Sequence, residues 1–363
     1  IRYFWGQWTR HRGEIRPDLA WHRRDVRGDR ADYWSRSDEQ YLAHNEAVIK
    51  SLKHVGATVF VRYRPGFPIV YEEMQARLAR KHGMRYFGII YLHTFAAEAK
   101  RLCPDRRISV NREGKPYGHE VYGLLPCPLY EPAYEKWFLE PTLHAAQSGL
   151  VDGLHMDWEP YGVRSEARVC YCDDCFEKFL TSQKKNLDLP VLKDQRYAWL
   201  KSHDLQDEFD ALFDKRRAKM FRGFAQQVRK IKPGFIFAGY DMLPWTPEIA
   251  TGLHDSGAPF FHIDNRHMSE PPERTWWKSL HTLCKKEGYL RIAGTNGHTL
   301  FGGGPSNAVN APQMLYDLAI SSDGFWVWLE QEFTPDTWRT FWIANRMIQA
   351  TENKVGDLLL RGE

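Results

Sequence analysis

The chain has 363 residues, 43% of them hydrophobic, enough to bury one large core. Its 50 basic and 46 acidic residues leave a net charge of +4, too mild an excess to argue for nucleic acid. No run approaches 18 consecutive apolar residues, so no membrane span is expected.

Eight short apolar runs read as strands in chain order: Arg2–Trp8, Ala57–Tyr63, Arg85–His93, Asp152–Glu159, Phe235–Asp241, Phe260–Asn265, Arg291–Gly297 and Gly324–Glu330. Helical patterns lie between them. Ser37-Asp38-Glu39-Gln40 opens one with a capping serine and early acids, and its repeat runs through Leu42, Val48, Ile49 and Leu52 to Gly56. Others cover Pro68–His82, Pro132–Gln147, Asp207–Lys232, Pro271–Lys286, Asn310–Ser321 and Pro335–Thr351, most opened near Pro or ended at Gly. Eight strands alternating with helices predict a single-domain α/β fold, a (β/α)8 TIM barrel over residues 1–363. No GxGxxG or P-loop follows an early strand, which removes support for nucleotide binding. Two long insertions follow strands, residues 9–36 and 161–205, and loops after strands line the active face of a barrel. The first is rich in Arg with interspersed acids. It reads as an ion-paired surface lid or, alternatively, as a clamp for an acidic sugar. The chain begins at Ile1 inside an apolar run, so a preceding segment is expected to have been removed. Secretion or a periplasmic location is the expectation, a cytoplasmic one the alternative.

The fourth run, Asp152-Gly-Leu-His-Met-Asp-Trp-Glu-Pro160, is the most informative. Side chains alternate along a strand, so His155, Asp157 and Glu159 share one face. Polar groups in a row on a buried strand are costly unless water or partners meet them. Two carboxylates two residues apart repel, and the one that protonates more readily suits a general acid. Glu159 and Asp157 are therefore both candidate catalytic carboxylates, and the pattern alone leaves open which of them is the acid. Asp264 and Asp241, at the ends of other strands, are candidates for a second catalytic carboxylate. His155, Tyr240, Trp328, Glu330, Trp5 and His93 are candidate substrate-binding residues; Trp328 could floor a sugar subsite, because aromatic rings pack on sugar C–H faces, and Glu330 is a strand-end carboxylate ranked behind Asp264 and Asp241.

Cys170-Tyr-Cys172-Asp-Asp-Cys175 is a C-x-C-x2-C run, and three thiolates so close occupy three corners of a zinc tetrahedron. Cys127, between Pro126 and Pro128, is the best fourth ligand and Cys103 the second choice. A closed four-thiolate site is structural, so a structural Zn2+ is expected. One disulfide plus a free thiol is the alternative if the protein is exported. Cys284 reads as a core thiol.

The fourth run resembles the DGxDxDxE motif of the family 18 chitinases through Asp152, Gly153, Asp157 and Glu159. The resemblance implies that Glu159 protonates the glycosidic oxygen and that Asp157 orients a substrate N-acetyl group. His155 stands where that family has its middle Asp. The family's Met-x-Tyr-Asp is replaced on the sixth strand by Phe261-His-Ile-Asp-Asn265. The cysteines are similar in layout to those of the family 42 β-galactosidases, which carry such a run after the acid Glu. The seventh strand, Leu290–Gly297, lacks the nucleophilic Glu of that family. Together these imply a glycoside hydrolase acting on carbohydrate. Two other functions remain open: a non-catalytic carbohydrate-binding barrel, and a metal-dependent barrel hydrolase with ligands among His155, Asp157, His93, His262 and Asp264.

Overall fold

The computed structural model describes residues 2–5, 46, 49–50, 52–63, 76–91, 95–105, 107–119, 123–157, 168–183, 192–240, 246–265, 274–296, 305–320, 322–328 and 335–361, some of them by backbone alone. Its strands are β1 Arg2–Trp5, β2 Val59–Tyr63, β3 Arg85–Tyr91, β4 Gly118–His119, β5 Gly123–Leu124, β6 Gly153–Asp157, β7 Ile236–Tyr240, β8 Phe260–Asn265, β9 Leu290–Asn296 and β10 Gly324–Trp328. Its helices include α1 Phe95–Leu102, α2 Glu131–Tyr134, α3 Glu140–Gln147, α4 Asp173–Gln183, α5 Arg196–Ser202, α6 Gln206–Ile231, α7 Pro247–His254, α8 Arg274–Glu287, α9 Pro305–Ile320 and α10 Pro335–Arg361. The eight longer strands fall within one residue of, or inside, the eight expected runs. The chain divides into two compact units. One comprises Ile1–Gly88, Leu150–Asp152 and Ile263–Glu363, the other Ile89–Gly149 and Gly153–His262.

In the first unit the parallel strands run side by side as β9, β10, β1, β2 and the first half of β3. This is a parallel half-barrel. Register sets the faces: Gly294, Trp326, Tyr3 and Val59 align in one row, and Asn296, Trp328, Trp5 and Val61 in the next. Helices α9 and α10 bury Ala311, Leu315 and Leu318 on one side and Phe341, Ala344 and Ile348 on the other. Both sets follow the spacing of a single helical stripe. Asp152 ties two segments of this unit. Its carboxylate accepts from Arg80 Nη2 at 3.0 Å and from the Tyr86 N–H at 3.1 Å. The first Asp of the sequence motif thus serves the strand's start.

In the second unit β6 and β7 pair in parallel, Leu154 opposite Phe237 and His155 opposite Ala238. Phe237 stands 6.4 Å, ring to ring, from Phe138, which lies in a π-helical turn over Glu135–Leu139 between α2 and α3. Pro141 has no N–H to continue an α-helical ladder there, and a widened turn is one way a helix absorbs that loss. The 26-residue α6 supports two cores. Phe221 and Phe224 pack on Phe138 with Val228 buried one turn on, while Phe209 and Phe213 join a separate apolar cluster with the cysteines. Helix α7 lies close on α6 at Gly252, where a Cβ would sit 2.4 Å from the Ala218 carbonyl oxygen.

The insertion at 161–205 is more than a charged loop. Its described residues include α4 and α5, which bury Phe176, Phe179 and Leu200 in the cysteine cluster's core. Helices α1 and α7 and the β4–β5 hairpin were not legible as periodic runs, because each is eight residues or shorter. Helix α9 starts at Pro305, earlier than expected, and α10 runs on to Arg361. The insertion at 9–36 lies outside the described residues.

Candidate functional site

Strand β6 is buried from end to end, but its two faces differ. Leu154 aligns with Phe237, whose ring meets the helix layer, so Leu154 and Met156 face the helices. By alternation His155 and Asp157 face the other way, together with Ala238 and Tyr240. The His155 and Tyr240 rings are near parallel, 6.5 Å apart. Burial alone pushes His155 down to about 3, so it is a neutral imidazole at ordinary pH. The structure therefore brings together three of the expected residues, His155, Asp157 and Tyr240. Glu159 lies outside the described residues, as do Asp241, His93 and Glu330. Trp5 and Trp328 are described by backbone alone and are register partners on β1 and β10.

Asp264 is also fully buried, in a different setting. Arg291 Nε donates to its Oδ2 at 2.8 Å, and neither side chain is exposed at all. Arg291 alternates with Gly294 and Trp326 across β9 and β10, so it points to the opposite sheet face. Helix α8 covers that face. Burial pushes the α8 thiol of Cys284 up to about 12, and both Arg291 and Asp264 act on it through their charges. On the first face Trp326 is fully buried and lies over Gly294. Its Nε1 donates to the Asp264 carbonyl at 2.8 Å. A Cβ on Gly294 would fall 1.7 Å from that Nε1, so the glycine is what admits the indole. Sequence reasoning missed Arg291. The signal was a guanidinium at the start of an otherwise apolar strand, Leu290-Arg-Ile-Ala.

Cys127, Cys170, Cys172 and Cys175 come together as the sequence suggests. All four are buried, and their sulfurs lie within 4.8 Å of one another. Cys127 and Cys175 are 3.3 Å apart, far beyond a disulfide bond of about 2.05 Å. Cys103 stays apart, against the Tyr130 hydroxyl at 3.7 Å, and Cys284 is a core thiol of α8. Backbone geometry builds the cluster: the Val110 N–H donates to Cys170 Sγ at 3.3 Å, and the Cys127 N–H to the Arg107 carbonyl at 2.7 Å. The four sulfurs compete for charge. Cys170 and Cys172 are held below the usual thiol range by hydrogen bonds from Cys127, and Cys127 and Cys175 are pushed above it by their neighbours. Four sulfurs in so small a space are compatible with one bound cation, and the donor set fits a soft divalent metal. Among the described residues this is the group of His, Cys, Asp and Glu able to hold a metal ion. The histidines and carboxylates of β6 and β8 form none.

An ion-pair chain joins the cysteine lobe to α6 and α7. Arg168 forks onto Asp214 and reaches Glu248 at 3.9 Å, while Glu248 meets the buried Arg217 at 2.7 Å. No described helix is long and apolar enough to cross a membrane.

No family model and no curated protein matches the sequence. Solved structures do match in fold. A β-galactosidase from the psychrophilic Marinomonas ef1 is 8% identical with a TM-score of 0.57, over 86% of this chain and 58% of that one. An exo-β-agarase is 10% identical with a TM-score of 0.54, over 92% of this chain and 49% of that one. The α-L-fucosidase isoenzyme 2 from Paenibacillus thiaminolyticus is 13% identical with a TM-score of 0.52, over 85% and 46%. The chain thus spans about half the length of the structures it matches. At such identities the likeness is one of fold: an α/β, parallel-stranded architecture of the kind on which glycoside hydrolases are built.

Proposed function

We propose that this chain is a glycoside hydrolase, a single (β/α)8 barrel catalytic domain in which Glu159 is the general acid. Asp157 is its neighbouring carboxylate, and His155 and Tyr240 shape the sugar site beside it. The observation that carries the reading is β6. It turns a fully buried His155 and Asp157 away from the helix layer, two residues before Glu159, in a fold shared with solved galactosidase, agarase and fucosidase structures. Placing polar groups there is costly for the fold alone, and such costs are met at sites.

The chemistry follows from the carboxylates. Glu159 gives a proton to the departing glycosidic oxygen. A second carboxylate then either activates water or attacks the sugar. Asp264 and Asp241 are the two candidates. The charge-compensated pairing of Asp264 with Arg291 on the α8-facing side of the sheet supports Asp241. Trp5, Trp328, His93 and Glu330 belong to the same reading as sugar contacts, and an acidic sugar suits the arginines of residues 9–36. The four cysteines hold one structural Zn2+ in this reading, and no chemical step passes through it.

The test is Glu159→Gln, assayed on a panel of unactivated oligosaccharides and of nitrophenyl glycosides. Turnover of the unactivated substrate should fall by about 10² to 10⁴ with folding preserved, and that of the activated glycoside by less, because its leaving group needs little protonation. Full activity in Glu159→Gln on an unactivated substrate overturns the assignment. A wild-type protein that binds these sugars and cleaves none favours a carbohydrate-binding barrel instead.

A further inference from the structure

The cysteine lobe contains a charge that the four-thiolate reading does not use. Zn2+ with four thiolates carries two net negative charges, and taking such a group out of water is costly unless cations lie nearby. Arg107 is held beside it by main-chain geometry. Its carbonyl accepts from the Cys127 N–H, and Ile108 pairs with Pro126 as an antiparallel bridge, so residue 107 lies across from Cys127. Its guanidinium pairs with Asp174, the residue before Cys175, and its Cζ lies 5.6 Å from the centre of the Tyr130 ring. Its Nε is buried and has no hydrogen-bond partner among the described residues.

Of the other basic groups near the lobe, Arg196 donates to the Tyr171 carbonyl and to Asp173, Lys193 pairs with Asp173, and Lys178 shares Asp174 with Arg107 from the exposed side.

We infer that Arg107 is the resident counter-cation of the cysteine centre, a positioning residue that sets how tightly the thiolates hold their metal. The inference rests on the zinc reading above. Arg suits the role because it stays charged under all ordinary conditions and its planar fork presents several donors. Asp174 then aims the guanidinium; the effect on the metal belongs to the positive charge.

The experiment compares full-length wild type with Arg107→Gln, Arg107→Lys and Asp174→Asn. Zinc content is read by elemental analysis, and affinity for Zn2+ and Co2+ by competition with a chromophoric chelator. Cobalt's visible spectrum reports a tetrahedral thiolate site. Wild type should hold one zinc per chain. Arg107→Gln should keep the cobalt spectrum but bind about 10- to 100-fold more weakly, the range for losing an outer-shell partner. Arg107→Lys should recover most of that loss, and Asp174→Asn should stay near wild type. The inference is overturned if Arg107→Gln binds as tightly as wild type, if lysine rescues nothing, or if Asp174→Asn loses as much as Arg107→Gln. A wild-type protein that binds neither metal overturns the zinc reading itself, a different and recognisable result.

Discussion

Two buried aspartates at strand ends show how unlike the two units are. Asp157 of β6 and Asp264 of β8 both look from sequence like candidates for one carboxylate pair. In the second unit Asp157 shares its face with a neutral histidine and a tyrosine, and that face is turned from the helices. In the first, Asp264 is locked to Arg291 on the face that α8 covers. In the function proposed above, Asp157 serves the ligand and Asp264 the fold. Burial and residue type are the same in both, so they do not separate the two roles. The sheet face and the Arg291 pairing do.

The sharpest way to break this comparison is to neutralise each aspartate in turn. Asp157→Asn should lower turnover of an unactivated glycoside by about 10² to 10⁴, as for loss of an acid–base group, with little change in unfolding midpoint. Asp264→Asn should do the reverse. It removes the carboxylate from a fully buried ion pair with Arg291, a change that costs about 3 to 5 kcal/mol. Replacing both Asp264 and Arg291 by apolar residues of similar volume should restore much of that stability. Urea unfolding and steady-state kinetics on the same four proteins decide the matter. An Asp264→Asn variant that is stable and inactive would reverse the roles assigned to the two aspartates.

A smaller effect probes the opposite face of the first unit. Trp326 reaches the Asp264 carbonyl only because Gly294 carries no side chain. Gly294→Ala should destabilise by about 1 to 3 kcal/mol through overpacking, and Trp326→Phe in the same chain should relieve only the indole's part of it, since the Cβ also falls 2.2 Å from the Asp264 carbonyl oxygen. If Gly294→Ala unfolds at the wild-type urea midpoint, the indole has room the structure does not show.

These contrasts also mark what the sequence could disclose. Strand positions were legible because apolar runs bounded by Gly, Pro and Asp carry a strong signal. Phe260–Asn265 is recovered to the residue. The cysteine quartet was legible too, including Cys127 from 43 residues upstream of Cys170, because a C-x-C-x2-C run offers three ligands and needs a fourth. The direction of Asp264 was not legible. Alternation relates residues within one strand, but it does not say which of two buried faces meets the helices. That depends on Arg291, a partner 27 residues away, whose role is invisible until the two strands lie in one unit. The fold of residues 161–205 was hidden for another reason: α4 and α5 are short and highly charged, and their apolar residues are spent on the cysteine core.

A further prediction concerns His155 and sharpens the account of the second unit's polar face. Its folded value is pushed down to about 3, against about 6.5 for an unfolded histidine. Below pH 6.5 the unfolded chain binds a proton that the folded chain refuses, so unfolding is favoured as pH falls. The contribution is complete above about pH 6.5 and drains away as pH drops towards 3, by roughly 1.4 kcal/mol for each pH unit in that window. His155→Gln removes the titrating group while keeping a polar side chain of similar reach. Unfolding free energies of both proteins, measured by urea at steps from pH 7.5 to 4.5, should converge at the acid end, because the wild type carries an extra slope that the variant lacks. Parallel pH dependences would mean that the folded imidazole takes up its proton as readily as the unfolded one. Asp157 on the same face would then be its natural counter-ion, and the row on β6 would be a charged pair instead of a neutral histidine beside a carboxylate.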